Sequence, residues 1–251
     1  MANAKNFKIP DGNGNLVTYP LFDATNKRTR TNITSNLSNL ATAVAEQNLE
    51  KYGYAIGDYF TGASTYVYTL ADLDTYYGGY SNNAVVSTHH IGIVVKTGLT
   101  SVWSDDTSTG YNGSTLQSTL ESTVLNNIKS DFITLFGGST GLEHLLSHSK
   151  LFTTNASTGW AWQSGKYISA LSEVQVYGST IMSMNGFQEG DACRQLEVFR
   201  KFRFNEIFGN TWFWLKNLYS ASYACGAHDN GRASYDSVSY ADAVVGLILF
   251  H

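Results

Sequence analysis

The chain closes on "VVGLILF", Val244 to Phe250, a run that is apolar at every position except its glycine. A strand with one face in water alternates apolar and polar residues, whereas an unbroken apolar run is the mark of a strand buried on both faces. The last residues are therefore expected in the middle of a sheet, away from its edges. The 251 residues, 43% of them hydrophobic, suffice for one large or two modest cores. Only 14% are charged, and a net charge of -4 leaves no footprint in the composition for nucleic acid or an anionic membrane. Polarity comes instead from Ser, Thr, Asn and Tyr. The opening "MANAKNFKIPDGNGN" has no apolar signal-peptide region, and no apolar segment nears the roughly 20 residues that span a bilayer. Cytosolic synthesis without membrane insertion is the expectation.

Residues 1–30 hold both prolines, Pro10 and Pro20, the turn-like "DGNGN" and the basic "NKRTR", and read as an extended lead-in. In residues 31–50, Ile33, Leu37, Leu40 and Val44 recur at the spacing of a helical seam. That seam suits a short oligomerisation helix or, equally, a helix packed on its own subunit. Strand-like pieces follow at residues 66–70 and 89–95. The clearest helix is "GSTLQSTLESTVLNNIKSDFITLFGG": Ser114 and Gln117 form a capping-box pair, and Gly137-Gly138 supply the stop. Leu116, Leu120, Val124, Ile128, Phe132 and Leu135 trace one face of it. A second, shorter helix is expected over "GLEHLLSH". From "GWAWQSGKYISALSEVQVYGST" onward strands and loops are expected, with Trp212 to Leu215 as an apolar anchor. No internal repeat appears, and no linker after residue 50 divides the chain.

Motifs for catalysis are scarce. His144 and His148 have the i, i+4 spacing of two zinc ligands on a helix, but Glu143 precedes the first histidine instead of following it, and a third ligand is missing. No metal is expected there. His89 and His90 are adjacent in a strand and so point to opposite faces. Nucleophile-elbow, Walker and dinucleotide-binding patterns do not occur, so neither a catalytic residue nor a cofactor is implied. Cys193 and Cys225 are the only cysteines, too few for a disulfide framework. "FRKFRFNEIF" mixes cations and aromatics as a base-stacking strip would, but in an acidic chain buried Phe alternating with solvated Arg is the better account.

The last 35 residues, from Asn217 on, contain no Lys, Glu, Gln, Met or Trp. Those types make up roughly a seventh of residues 1–216, so about five would be expected in the final segment. Tyr219, Tyr223, Tyr235 and Tyr240 stand there among Ser, Asn, Asp, Gly and His. This is the palette of antibody loops: Tyr offers a large amphipathic contact area with few rotatable bonds, and small polar residues offer adaptable hydrogen bonds.

"WFWLKNLYSAS", "DNGRASY" and the closing "VVGLILF" resemble the variable region of phage diversity-generating-retroelement variable proteins, receptor binders of the major-tropism-determinant type on a C-type-lectin fold. Upstream, "THHIGIVV", "SDFITLFGGSTGLEHLL", "ISALSEVQVYGST" and "QLEVFRKFRFNEIFGNTWFWL" are similar to the scaffold of gut-phage members, so the likeness covers about residues 50–251. Two departures stand out: Val244, Val245, Gly246 and Leu247 replace a common Gly-Val-Arg-Pro, and Lys216 replaces Arg. In that family, template adenines are miscopied during reverse transcription. Asn codons AAC or AAT randomised at both adenines never encode Lys, Glu, Gln, Met or Trp, the five types missing here.

The resemblance implies an α+β, C-type-lectin-like domain over residues 51–251 with a variable region at about 211–251, a mixed, mostly antiparallel sheet and one main helix. A segment for virion attachment (residues 1–30) and the short helix (31–50) would precede it. It further implies adhesion without turnover: a host-cell surface receptor, protein or glycan, as ligand, phage tail proteins as partners, display on the virion, and a homotrimer supplying avidity. Nucleic acid is not an expected partner. The expected contact residues are Asn217, Tyr219, Tyr223, His228, Asp229, Asn230, Tyr235, Asp236, Ser239, Tyr240 and Asp242, all solvent-facing. Trp212, Trp214, Leu215, Val244, Leu247 and Leu249 are expected to be buried. The alternatives are an enzyme on the related formylglycine-generating scaffold, whose reactive cysteine pair has no recognisable counterpart here, and a purely structural virion protein.

Overall fold

The computed structural model describes residues 29–78, 86–104, 110–154, 159–183 and 194–251, and before them the backbone of two short strands. The chain divides into two units, Met1–Thr31 and Asn32–His251. In the first, β1 (Phe7–Pro10) pairs antiparallel with β2 (Leu16–Tyr19), Phe7 opposite Tyr19 and Pro10 opposite Leu16. The expected extended lead-in is thus in part a paired hairpin.

The second unit is mixed α+β, mostly sheet with few helices. It opens with α1 (Leu40–Ala45), β3 (Tyr59–Thr61), β4 (Val67–Leu73) and β5 (Ile91–Val102). A long helix follows, in three pieces: α2 (Thr115–Thr119), a π-helical stretch (Leu120–Val124) and α3 (Leu125–Phe136). Then come β6 (Leu145–Leu146), β7 (His148–Thr153), β8 (Trp160–Lys166), β9 (Ile168–Ala170) and α4 (Glu173–Tyr177). The chain ends with α5 (Glu197–Lys201), α6 (Phe204–Phe208), β10 (Phe213–Ser220), β11 (Tyr223–Ala227), β12 (Ala233–Ser237) and β13 (Ala241–Phe250). The main sheet runs in the order β12-β11-β10-β13-β5-β4-β3, and β6 and β9 also pair with β13. β7 and β8 form a separate antiparallel pair.

β13 lies in mid-sheet, as its apolar run requires. It pairs antiparallel with β5 from Ala241 opposite Val102 to Phe250 opposite Ile91, and parallel with β10 at Phe213 opposite Ala243. Every residue from Val244 to Phe250 is buried. Gly246 leaves room for β9 and the long helix to pack on the strand: a Cβ there would lie 2.7 Å from Ile168 Cδ1 and 3.1 Å from Leu120 Cδ2.

Leu116, Leu120, Val124, Ile128 and Phe132 are all buried, each worth about 1.5–3 kcal/mol of removed apolar surface. Their strict spacing of four overshoots an α-helical turn by about 40° per step. The wider π turn in the middle absorbs part of that drift and keeps one face on the sheet. Ser114 caps the helix by accepting the Gln117 N–H at 3.0 Å. The reciprocal bond is not made: the Ser114 N–H donates to the Tyr111 carbonyl at 3.1 Å, and the Gln117 amide is turned away to donate to the Ile168 carbonyl at 3.4 Å. A complete capping box sits instead at α4, between Ser172 and Gln175. Phe132 and Phe136 meet Phe60, Tyr68 and Phe250 in an aromatic cluster that ties helix to sheet. Beside it the buried Asp131 accepts from Ser64 N–H at 2.9 Å, from the Ser64 hydroxyl, and from Tyr68 OH at 2.6 Å.

Two expectations need correction, and one open choice is resolved. The Ile33, Leu37, Leu40 and Val44 side chains are all buried in the domain's own core, and only Leu40–Ala45 is helical, so the seam leaves nothing apolar for a neighbouring subunit. "GLEHLLSH" forms no helix. It is drawn into strands because the end of β13 needs a pairing edge: Leu146 lies opposite Leu249 and Leu145 opposite Phe250. His144 then stacks on Phe250 while His148 turns inward against Tyr76, ring centroids 4.4 Å apart, so the two share no helix face. "FRKFRFNEIF", in a region expected to hold strands and loops, forms two short helical turns, although its Arg200, Lys201 and Arg203 are exposed and its phenylalanines pack toward the core as expected.

Two predictions follow from these contacts. A methyl group at Gly62 would lie 2.1 Å from Asp131 Cγ, so Gly62→Ala is expected to cost about 1–3 kcal/mol in denaturant unfolding. His90 and His148 both have pKa values below the ordinary histidine range, chiefly through burial, with the Lys150 and Lys216 charges adding to the effect at His148. His90 is held as the neutral tautomer: its Nε2 accepts from Tyr76 N–H at 3.2 Å while Nδ1 faces the Thr88 carbonyl at 2.8 Å. Lowered folded-state pKa values mean that the unfolded chain takes up protons first, so stability should fall as pH drops below the ordinary histidine pKa of about 6.5. Melting curves should show this loss, and His148→Phe should reduce it.

Candidate ligand-binding surface

β10 carries the last fixed stretch before the surface. Residues from Phe213 to Leu218 are buried. The Trp214 indole N–H donates to the Ser101 carbonyl at 2.9 Å and the Trp103 indole N–H to the Leu215 carbonyl at 2.8 Å, so both large rings are anchored at their polar ends. Trp214, Leu215, Val244, Leu247 and Leu249 are buried as expected, whereas Trp212 is only half-buried and lies over His228 with ring centroids 3.8 Å apart.

Asn217 is not a surface residue. It is fully buried, and its Oδ1 accepts the Glu173 N–H at the start of α4 at 2.9 Å. The Glu173 carboxylate, also buried, accepts N–H groups from Ile181 (3.1 Å), Met182 (2.8 Å) and Ser183 (2.9 Å), as well as the Ser183 hydroxyl. This hub covers β10 at Asn217, and the cover ends two residues later. Cys225 is a buried free thiol whose pKa is pushed up by burial and then by the Glu173 charge. Cys193 lies outside the described residues.

Beyond Leu218 the framework gives way to an exposed aromatic cluster. The β10–β11 pairing is irregular between Leu218 and Ser220, a bulge of the kind that re-aims side chains. Tyr219 stacks flat on Tyr235 with centroids 3.8 Å apart and planes 6° from parallel, and Tyr223 meets Tyr235 edge-on at 5.8 Å. All three rings are exposed, and Tyr240, 60% exposed, is the most open large side chain of the segment. Ser239 is also exposed, its hydroxyl 3.0 Å from that of Ser237.

The remaining expected residues sit at two clefts. One, of about 450 Å³, is lined by Arg203, Phe204, Asn205, Asn210, Asp229 and Asn230. His228 pairs with Asp229 beside it, and Asn230 Oδ1 accepts the Arg232 N–H at 3.0 Å to close the β11–β12 turn. The other, of about 470 Å³, includes Thr100, Asn210, Thr211, Trp212, Asp236 and Asp242. Ten of the eleven expected contact residues are thus exposed or half-buried; only Asn217 belongs to the core. Thr100, Arg203, Phe204, Asn205, Asn210 and Thr211 were not anticipated. They precede the depleted segment in sequence and reach the clefts only through folding, although the Arg and Phe of "FRKFRFNEIF" were a visible signal. Among the described residues no group of three or more His, Cys, Asp or Glu could hold a metal ion. No protein-family model, characterised protein or solved structure matches the chain.

The boundary between framework and surface can be tested by stability. Asn217→Ala leaves the Glu173 N–H without its acceptor and should cost about 1–3 kcal/mol. Tyr223→Ser and Tyr240→Ser should each stay within about 0.5 kcal/mol, and Tyr219→Ser should cost up to about 1.5 kcal/mol through its lost ring stack. Urea unfolding of the four variants would check this order.

Proposed function

We propose that this chain is a ligand-binding protein of the diversity-generating-retroelement variable type, a C-type-lectin-like domain that recognises a host-cell surface receptor without catalysing a reaction. The observation that carries the reading is the exposed cluster of Tyr219, Tyr223 and Tyr235, together with the exposed Tyr240, set on a buried framework within a segment that lacks five residue types. Free tyrosines cost little conformational entropy on binding and offer both stacking and hydrogen bonding, which suits a paratope. A framework that buries Phe213 to Leu218 and the whole of residues 244–250 while leaving Tyr219, Tyr223, Tyr235, Ser239, Tyr240 and their polar neighbours exposed or half-buried would tolerate many sequences at the latter.

The environment of Cys225 supports binding over turnover at that residue. A nucleophilic thiol needs a lowered pKa and access, whereas this one is inaccessible and its pKa is raised, first by burial and then by the Glu173 charge. Homotrimeric display on a phage tail is part of the proposal, but its support is the family resemblance alone, since the seam of residues 33–44 is used within the domain. Light scattering checks it: a monomer independent of concentration would remove the trimer from the reading.

Purified protein applied to a panel of gut bacteria should bind a subset of strains. Replacing Tyr223, Tyr235, Ser239 and Tyr240 together should abolish that binding while keeping the melting temperature within a few degrees. Unfolding of the variant, or unchanged binding, would make the segment a structural loop and overturn the proposal.

A further inference from the structure

The cleft beside Trp212 has a chemistry of its own. Asp236 and Asp242 both line it, and Trp212 forms part of its wall together with Thr100, Asn210 and Thr211. Asp236 accepts one hydrogen bond, from the Ser237 N–H at 2.7 Å. The Asp242 carboxyl is pushed up from the ordinary range, first by partial burial and then by the nearby Asp236 charge, and no hydrogen bond or ion pair among the described residues offsets this. Two like charges, partly withdrawn from water and without a cation of their own, are unfavourable unless something positive enters.

A neutral sugar would leave that repulsion in place. A calcium ion needs six to eight oxygen ligands, and two carboxylates do not make such a set. An organic cation fits better, because it can donate charge-assisted hydrogen bonds to both carboxylates and lie against an indole, the best of the aromatic faces for this purpose. Tyr235, Ser237, Ser239 and Tyr240, next to the lining residues along the chain, are of the palette of a protein-binding paratope. We infer that this cleft seats the ammonium group of a lysine side chain carried by a protein ligand, held between Asp236 and Asp242 and against the ring of Trp212. The inference rests on the ligand-binding reading above and names the chemistry that one part of its surface selects.

The test uses the full chain and small probes, so that it does not depend on finding the receptor. Nα-acetyl-lysine N-methylamide, its uncharged Nε-acetylated form, glucosamine and calcium chloride are each titrated while the Trp212 indole N–H signal is followed by NMR. The lysine probe is expected to move that signal saturably and to bind at least about tenfold more tightly than the uncharged form. Asp242→Asn and Asp236→Asn should each weaken the lysine probe by about tenfold or more. At neutral pH Asp242→Asn should also keep or raise the melting temperature, because a carboxyl with a raised folded-state pKa opposes folding once ionised. Equal binding of charged and uncharged probes, stronger binding of glucosamine or calcium, or unchanged affinity in both variants would each overturn the inference. Host binding that survives while the lysine probe fails would sink this inference alone. Loss of host binding in the tyrosine variants is a separate result and bears on the proposed function.

Discussion

The rest of the domain depends on the last strand. β13 is hydrogen-bonded on both flanks, to β5 along its length and to β10, β9 and β6 in turn, and it is covered on both faces. A strand with no free edge and no wet face has no solvated alternative for its backbone or side chains. The long helix settles onto it where Gly246 lets Leu120 and Ile168 come close. The aromatic cluster of Phe60, Tyr68, Phe132 and Phe136 reaches Phe250 at its end. The surface segment that precedes β13 is therefore held at both ends, by the anchored tryptophans of β10 and by a central strand.

A polar hub complements this apolar clamp. Glu173 spends its buried charge on three backbone N–H groups and a hydroxyl of residues 181–183, while its own N–H reaches Asn217. Buried polar groups cost free energy unless paired, and paired ones fix a unique arrangement. The hub thus joins α4, the 181–183 segment and β10, and its edge sets where framework ends and accessible side chains begin. Tyr219, two residues beyond Asn217 and on the same side of an ideal strand, is exposed because no such cover extends over it.

Much of the fold was legible because the physics behind it is local. The apolar run of Val244 to Phe250 needs two covered faces wherever it lies, and the 116–132 stripe needs one. The misreadings share a cause. "GLEHLLSH" has a helical pattern, but the end of β13 offered an unpaired edge, and pairing outweighed the weak preference of a short helix. The 33–44 seam was ambiguous between two partners, and burial in its own core resolved it. Asn217 looked like its polar neighbours because nothing in a sequence shows that the N–H of a residue 44 positions earlier will need its carbonyl.

The α+β class was an implication of the family resemblance; by itself the sequence determined the central position of the last strand, the buried face of the long helix and the tyrosine-rich character of residues 217–242. These follow from periodicity and composition, which each segment carries alone. Only the tertiary structure decided which of those polar residues are accessible and which neighbours they have. It stacked Tyr219 on Tyr235 across a bulge, brought Asp236 beside Asp242 and Trp212, and added Arg203 and Asn210 from outside the segment. A surface is assembled from residues distant along the chain, and their distances are set by packing that no single segment contains.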